Sequence, residues 1–132
     1  MAMVASLAIA LLAFAVPANA STPSPLSAAS AANLADCPSG YACLWLHENW
    51  EGSRWQGQAN NPTLPPWMDN LGSSSYNHGT RCIAHFTTDP NYGGVELAEP
   101  PGSYRQYLTR NERPGGGNWN DIISSLYWCS KG

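Results

Sequence analysis

Few side chains in this sequence are equipped for covalent or acid–base chemistry, and their spacing is poor for it. The histidines, His47, His78 and His85, are not grouped at metal-ligand spacing. His47-Glu48 runs on into Asn49-Trp50-Glu51, so the His-Glu-x-x-His zinc signature is absent. Gly72-Ser73-Ser74-Ser75 runs into Tyr76 and forms no Gly-x-Ser-x-Gly nucleophile elbow. Glu48 and Glu51 could be written as an acid–base couple, but on a solvent-facing hairpin such a pair is ordinarily plain charge. His47 and His85 fall near each other when the two parts of the chain are superposed, and the simplest reading puts both on first strands. No enzyme activity is expected.

Cysteine is the informative chemistry. Cys37, Cys43, Cys82 and Cys129 are an even set without CxxC spacing, which reads as disulfides rather than a metal site. Three connectivities are open. Cys37–Cys43 with Cys82–Cys129 is favoured, because Pro38-Ser39-Gly40 is a turn that brings its ends together and the second pair would tie the first strand of one half to the last strand of the chain. On the chain-entropy argument the short loop is worth about 2 kcal/mol and the long one about 4 kcal/mol.

The elements that must position these residues are short. Gly and Pro punctuate the chain from Cys37 onward, no helical period of useful length appears, and strands are expected at 42–46, 53–58, 81–87, 94–97, 104–107 and 125–129. An all-β sandwich or barrel follows. Six Trp and six Tyr suit a small sheet core that reaches the surface. Ahead of this lies an uncharged apolar run, residues 1–20, closing on Ala18-Asn19-Ala20. It reads as a cleavable signal peptide with Ser21 as the new N-terminus, although no Lys or Arg precedes the apolar stretch. Residues 21–36 read as a low-complexity flexible leader. A short helix over Leu26 to Leu34 is compatible with it but shows no partner face. The folded domain is expected over 37–132. Its six basic residues are scattered singly, so no nucleic-acid footprint exists, no membrane span is expected, and a monomer is expected.

The chain also repeats itself. Cys43 to Gly52 and Cys82 to Gly94 each read strand, polar residues, aromatic-x-Gly. Trp67-Met68-Asp69-Asn70-Leu71-Gly72-Ser73-Ser74 matches Trp119-Asn120-Asp121-Ile122-Ile123-Ser124-Ser125, the second copy being one residue shorter after the Trp. The Gly permits close approach of ring and backbone, Asp69-Asn70 and Asn120-Asp121 suit turns, and the Ser-Ser pairs offer hydroxyls to a loop or a ligand before a short strand resumes.

Trp50-Glu51-Gly52 with Asp69 to Ser74, and Tyr92-Gly93-Gly94 with Asn120 to Ser125, resemble the paired signatures of the βγ-crystallin superfamily. The resemblance covers about residues 37 to 130 and implies a two-Greek-key sandwich, here disulfide-stapled. The opening Cys37-Pro38-Ser39-Gly40-Tyr41-Ala42-Cys43-Leu44-Trp45 and the run Trp119 to Ser125 are similar to small secreted actinobacterial proteins classed as a peptidase inhibitor family, typified by a metalloproteinase inhibitor. That kinship implies a secreted inhibitor of an extracellular peptidase. The superfamily pattern further implies calcium at Asp69, Asn70, Ser73, Asn120, Asp121 and Ser124, with carbonyls near Glu51, Leu71, Gly93 and Ile122. With two carboxylates in the set the affinity belongs in the weak extracellular range, roughly 10⁻⁴ M. Gly72 departs from the pattern, which prefers an apolar residue there, as at Ile123. For inhibition, the candidate rigid loops are the one closed by Cys37–Cys43, residues 60–68 and residues 110–119. Leu64, among three prolines, is the apolar side chain expected on display. Alternatives are a calcium-binding structural module without a protease target, or a carbohydrate-binding module using Trp55, Trp67 and Trp119.

Overall fold

The computed structural model describes residues 25–130. The expected signal peptide, the start of the leader and the last two residues lie outside them. One helix, α1 (Ala28–Ala35), precedes seven strands: β1 (Ala42–Trp45), β2 (Arg54–Gly57), β3 (Ser74–Asn77), β4 (Ala84–Thr87), β5 (Glu96–Glu99), β6 (Tyr104–Arg105) and β7 (Ser125–Trp128). They form two antiparallel sheets, ordered β2-β1-β3-β6 and β5-β4-β7. Period-two alternation sends one face of each sheet inward. Leu44, opposite Trp55, and Phe86, opposite Leu97 and Leu126, meet in one core that Met68, Leu108, Trp119 and Ile123 complete.

The halves exchange edges. Strand β6 comes from the second half but pairs with β3 of the first. Asn61, from the first half, forms an antiparallel bridge with Leu126 of β7, with reciprocal N–H···O bonds of 2.7 and 3.0 Å. This crossing is the Greek-key connection, and it makes the core a joint product of both repeats.

Strand β3 lies outside the six bounded segments, at the place where a short strand was expected to resume after the first Ser-Ser pair. Its Ser74, Ser75 and Asn77 are fully buried polar residues, so neither hydropathy nor β-propensity marks them. They are held because each finds partners. Trp50 Nε1–H donates to the Ser75 carbonyl at 3.1 Å, and Asn77 Nδ2 donates to the Glu99 carbonyl at 2.7 Å.

Helix α1 does have a partner face. Ser27 caps it, accepting from Ser30 N at 3.1 Å, and Ser30 Oγ donates to Asn49 Oδ1 at 2.7 Å. Leu26 and Leu34 pack on a second cluster of Cys37, Cys43, Trp45 and Trp50, roofing the outer face of the first sheet. Eight residues are too few for a stable isolated helix, so this packing is what holds it. Cys37 pairs with Cys43 and Cys82 with Cys129, at Cα separations of 6.0 and 4.9 Å.

Candidate functional site

The two aromatic-x-Gly hairpins fold back over the sheets in the same way. Asn49 and Trp50 have φ of 60° and 57°, Asn91 and Tyr92 57° and 64°. A left-handed pair of non-glycine residues is unfavourable alone, and a serine secures each. Ser74 Oγ accepts from Trp50 N at 3.0 Å and donates to the His47 carbonyl at 2.7 Å. Ser125 Oγ accepts from Tyr92 N at 3.1 Å and donates to the Asp89 carbonyl at 2.7 Å. Gly52 has φ 78°, and a Cβ there would come within 2.6 Å of the His47 ring, so only glycine fits.

The other serine of each pair turns to the opposite repeat. Ser73 Oγ donates to Asp121 Oδ1 at 3.5 Å, and Ser124 Oγ donates to Asn70 Oδ1 at 3.2 Å. The backbone is crossed likewise: Asn70 N donates to the Ile123 carbonyl at 2.9 Å and Asp121 N to the Gly72 carbonyl at 3.0 Å. Asn70 and Asp121 both take positive φ, 56° and 57°. Four of the six residues expected as calcium ligands, Asn70, Ser73, Asp121 and Ser124, are therefore joined in two pseudo-symmetric clamps at the junction of the repeats, with Asp69 and Asn120 next to them in the chain. Within the second clamp Asn120 Nδ2 donates to Asp121 Oδ2 at 2.8 Å. The paired atoms Asp69 Oδ1 and Asn120 Oδ1 are buried without a hydrogen-bond partner among the described residues. Orphaned oxygens at equivalent places are a donor set that a hard cation would satisfy. Each clamp carries a single carboxylate, and among the described residues no three His, Cys, Asp or Glu side chains gather as a metal cluster.

These bonds also fix how the repeats correspond. Pairing Asn70 with Asp121 and Gly72 with Ile123 places Met68 opposite Trp119 and Trp67 opposite Asn118. Sequence matching aligned the two tryptophans instead. Met68 and Trp119 share the core at 0 % and 2 % exposure, whereas Trp67 is 46 % exposed.

Leu64 is a correction. It is not displayed: it is 5 % exposed in the core cluster, and its N–H donates to the Ser124 carbonyl at 2.9 Å. The segment that carries it bonds to the chain at β7 through Asn61 and Leu64, and its side chain joins the core there. Trp55 and Trp119 are likewise core residues, 8 % and 2 % exposed, with no face to offer a sugar. The large apolar side chains actually on the surface of the 60–71 segment are Trp67 and Leu71. Sequence signalled Trp67 only as one of several loop aromatics.

The histidines are dispersed. His78 Nδ1 contacts the Cys37 carbonyl at 2.7 Å and its ring stacks on Tyr76. His85, on β4, stacks on Tyr127 with ring centroids 4.3 Å apart and lies 3.6 Å from Glu96. His47 lies beyond the end of β1, so only one of the pair expected on first strands is on one. Burial is the main reason the Tyr127 phenol is pushed up to about 12, with Glu96 adding to it. Glu48 accepts from Thr109 Oγ1 of the second half and Glu51 from Asn49 Nδ2 of its own hairpin at 3.4 Å, so the two carboxylates are engaged separately.

Several solved structures share this fold. One βγ-crystallin domain, from work on the evolution of the eye-lens fold, has a TM-score of 0.60 at 23 % identity, covering 71 % of this chain and 90 % of that one. Spherulin 3a from Physarum polycephalum scores 0.52 at 23 % identity, covering 71 % and 86 %. An archaeal βγ-crystallin scores 0.51 at 16 % identity, covering 68 % and 98 %. No curated protein matches the chain in sequence. The family model for peptidase inhibitor family I36 matches residues 30–96, from within α1 to the start of β5 and through the first clamp. With half of its sequence matched by that model on a βγ-crystallin-like scaffold, the chain belongs to peptidase inhibitor family I36.

Proposed function

We propose that this protein is exported and inhibits an extracellular metalloproteinase, acting as a monomer through a preorganised loop and without catalysis. The observation that carries the reading is the family match over residues 30–96. The loops of the sandwich suit the task. Residues 60–71 are pinned by Asn61 N to the Leu126 carbonyl at 2.7 Å, Leu64 N to the Ser124 carbonyl at 2.9 Å and Met68 N to the Pro65 carbonyl at 2.9 Å. Asn91 N also reaches the Pro62 carbonyl at 2.7 Å. A loop already fixed loses little conformational entropy on binding. Export is supported by the apolar run of residues 1–20 and by two disulfides, which persist in oxidising compartments. Among the described residues no helix is long and apolar enough to cross a membrane.

The test is a titration of the oxidised protein against a thermolysin-type metalloproteinase, with a subtilisin-type serine proteinase as comparison. Saturable inhibition of the metalloproteinase near one-to-one ratio is the expected result. Inhibition of the serine enzyme alone would reassign the target class, and inhibition of neither by folded protein would refute the reading for both.

The orphaned Asp69 and Asn120 oxygens favour a second property: weak calcium binding at the clamps, through Asp69, Asn70, Ser73, Asn120, Asp121 and Ser124. Calcium would tie the two repeats together and stiffen the loops that carry the clamps. Calorimetric titration with calcium chloride should give a dissociation constant of roughly 10⁻⁴ M, weakened in Asp121→Asn. Absence of binding heat, with no rise in melting temperature at millimolar calcium, would make the clamps purely structural.

A further inference from the structure

Four large apolar side chains are exposed among the described residues: Trp67, Leu71, Ile83 and Tyr104. Tyr104 has its partners, since its ring meets Trp50 at 5.2 Å and Tyr76 at 6.2 Å. Ile83 stands alone beside the Cys82–Cys129 bridge. Trp67 and Leu71 share one turn and bracket Asp69 and Asn70 of the first clamp.

Scattered apolar residues on a surface are ordinary. What sets this pair apart is the internal comparison between repeats. The position of Trp67 is occupied in the second copy by Asn118, an exposed polar residue. Met68 already fills the core place that Trp119 fills there. The fold therefore accommodates a polar side chain at this position, and packing does not call for an indole. The turn beneath Trp67 is fixed: the Pro65 carbonyl receives both Met68 N and Asp69 N at 2.9 Å, and Leu71 N donates to the Met68 carbonyl at 2.9 Å.

The geometry points to Trp67 and Leu71 as the apolar anchor by which this chain holds its target peptidase, an inference that rests on the inhibitor reading above. The matching surface on the enzyme is an apolar cleft wide enough for an indole. Asp69, in the same turn but with Oδ1 buried, leaves the pair without a cation of its own and favours a neutral or basic rim on the enzyme. A rigidly presented Trp is the residue type that most often dominates an interface. The pair lies inside the segment matched by the inhibitor family, and no other exposed large apolar pair shares a turn among the described residues.

The test uses the oxidised full chain, Trp67→Asn, Leu71→Ser and, as control, Ile83→Ser, each titrated against the thermolysin-type and subtilisin-type enzymes. Trp67→Asn copies the residue of the second repeat and should melt with the wild type. It is expected to raise the inhibition constant at least about tenfold, with Leu71→Ser acting in the same direction and Ile83→Ser changing it by less than about twofold. Wild-type inhibition retained in both Trp67→Asn and Leu71→Ser would overturn the anchor and leave the inhibitor reading standing. No inhibition by the wild type would overturn the reading and the anchor with it.

Discussion

Glu99 is a carboxylic acid sealed between the two sheets. It is fully buried, with Ser75 Oγ donating to Oε1 at 3.2 Å and no partner for Oε2 among the described residues. Burial raises its pKa from 4.5 to about 8, against the smaller opposing pulls of the Ser75 hydrogen bond and the Arg105 charge. The folded chain thus holds a proton that the unfolded chain gives up. The stabilisation is fully present below about pH 4.5 and is lost as pH rises through about 8. Within that window this group contributes a fall of up to about 1.4 kcal/mol per pH unit. Glu99→Gln should flatten the slope of urea stability between pH 5 and 8, and an unchanged slope would clear Glu99 of the effect. Gly72 offers a simpler prediction. Its φ is not positive, its counterpart is the buried Ile123, and an added Cβ would sit 3.5 Å from Leu44, an ordinary contact. Gly72→Ala should raise stability by about 0.5–1 kcal/mol, read as a higher melting temperature. A lower one would show that the first clamp needs the glycine's freedom.

Among the elements, each folded hairpin depends on one hydroxyl of the sheet beneath it. Ser74→Ala leaves the Trp50 amide and the His47 carbonyl without their buried partner, and Ser125→Ala does the same to Tyr92 and Asp89. Each should cost about 1–3 kcal/mol. Hydrogen exchange should quicken at Trp50 in the first variant and at Tyr92 in the second, without crossing over; equal loss of protection in both hairpins would mean they open as one unit. The repeat placed these hairpins and clamps in phase from sequence, because aromatic-x-Gly and Asp/Asn-x-x-Ser-Ser are local geometries with local residue requirements. What sequence missed depends on tertiary partners. Ser74–Asn77 has no apolar pattern, so the strand expected after the first Ser-Ser pair could not be bounded. Leu64 looked exposed among prolines because loop composition does not say which side chain turns inward. Trp67 was matched to Trp119 because they are the same residue, whereas hydrogen-bond register matches Met68 to it.

For the molecule as a whole, the two disulfides are unequal staples. Replacing Cys82 and Cys129 by Ala should lower unfolding free energy by about 4 kcal/mol in a guanidinium titration, and replacing Cys37 and Cys43 by about 2 kcal/mol. A reversed order would mean that the small bridge mainly anchors α1 against Trp45 and Trp50. Both bridges lie within their own half, so none joins the halves covalently. The segment between β3 and β4 is exposed at Thr80 and Arg81. What unites the halves across it is the exchange of edges, β6 onto β3 and Asn61 onto β7, about a common core. A protein living among proteases is open to cutting at such a connection. Here a single cut at 80–81 would yield two peptides that still complete each other's sheets, migrating as one particle in native gel filtration and as two bands in denaturant without reductant. For an inhibitor, that crossing of strands is a form of damage tolerance: the chain can be severed at its waist while Trp67, Leu71 and both clamps stay in place.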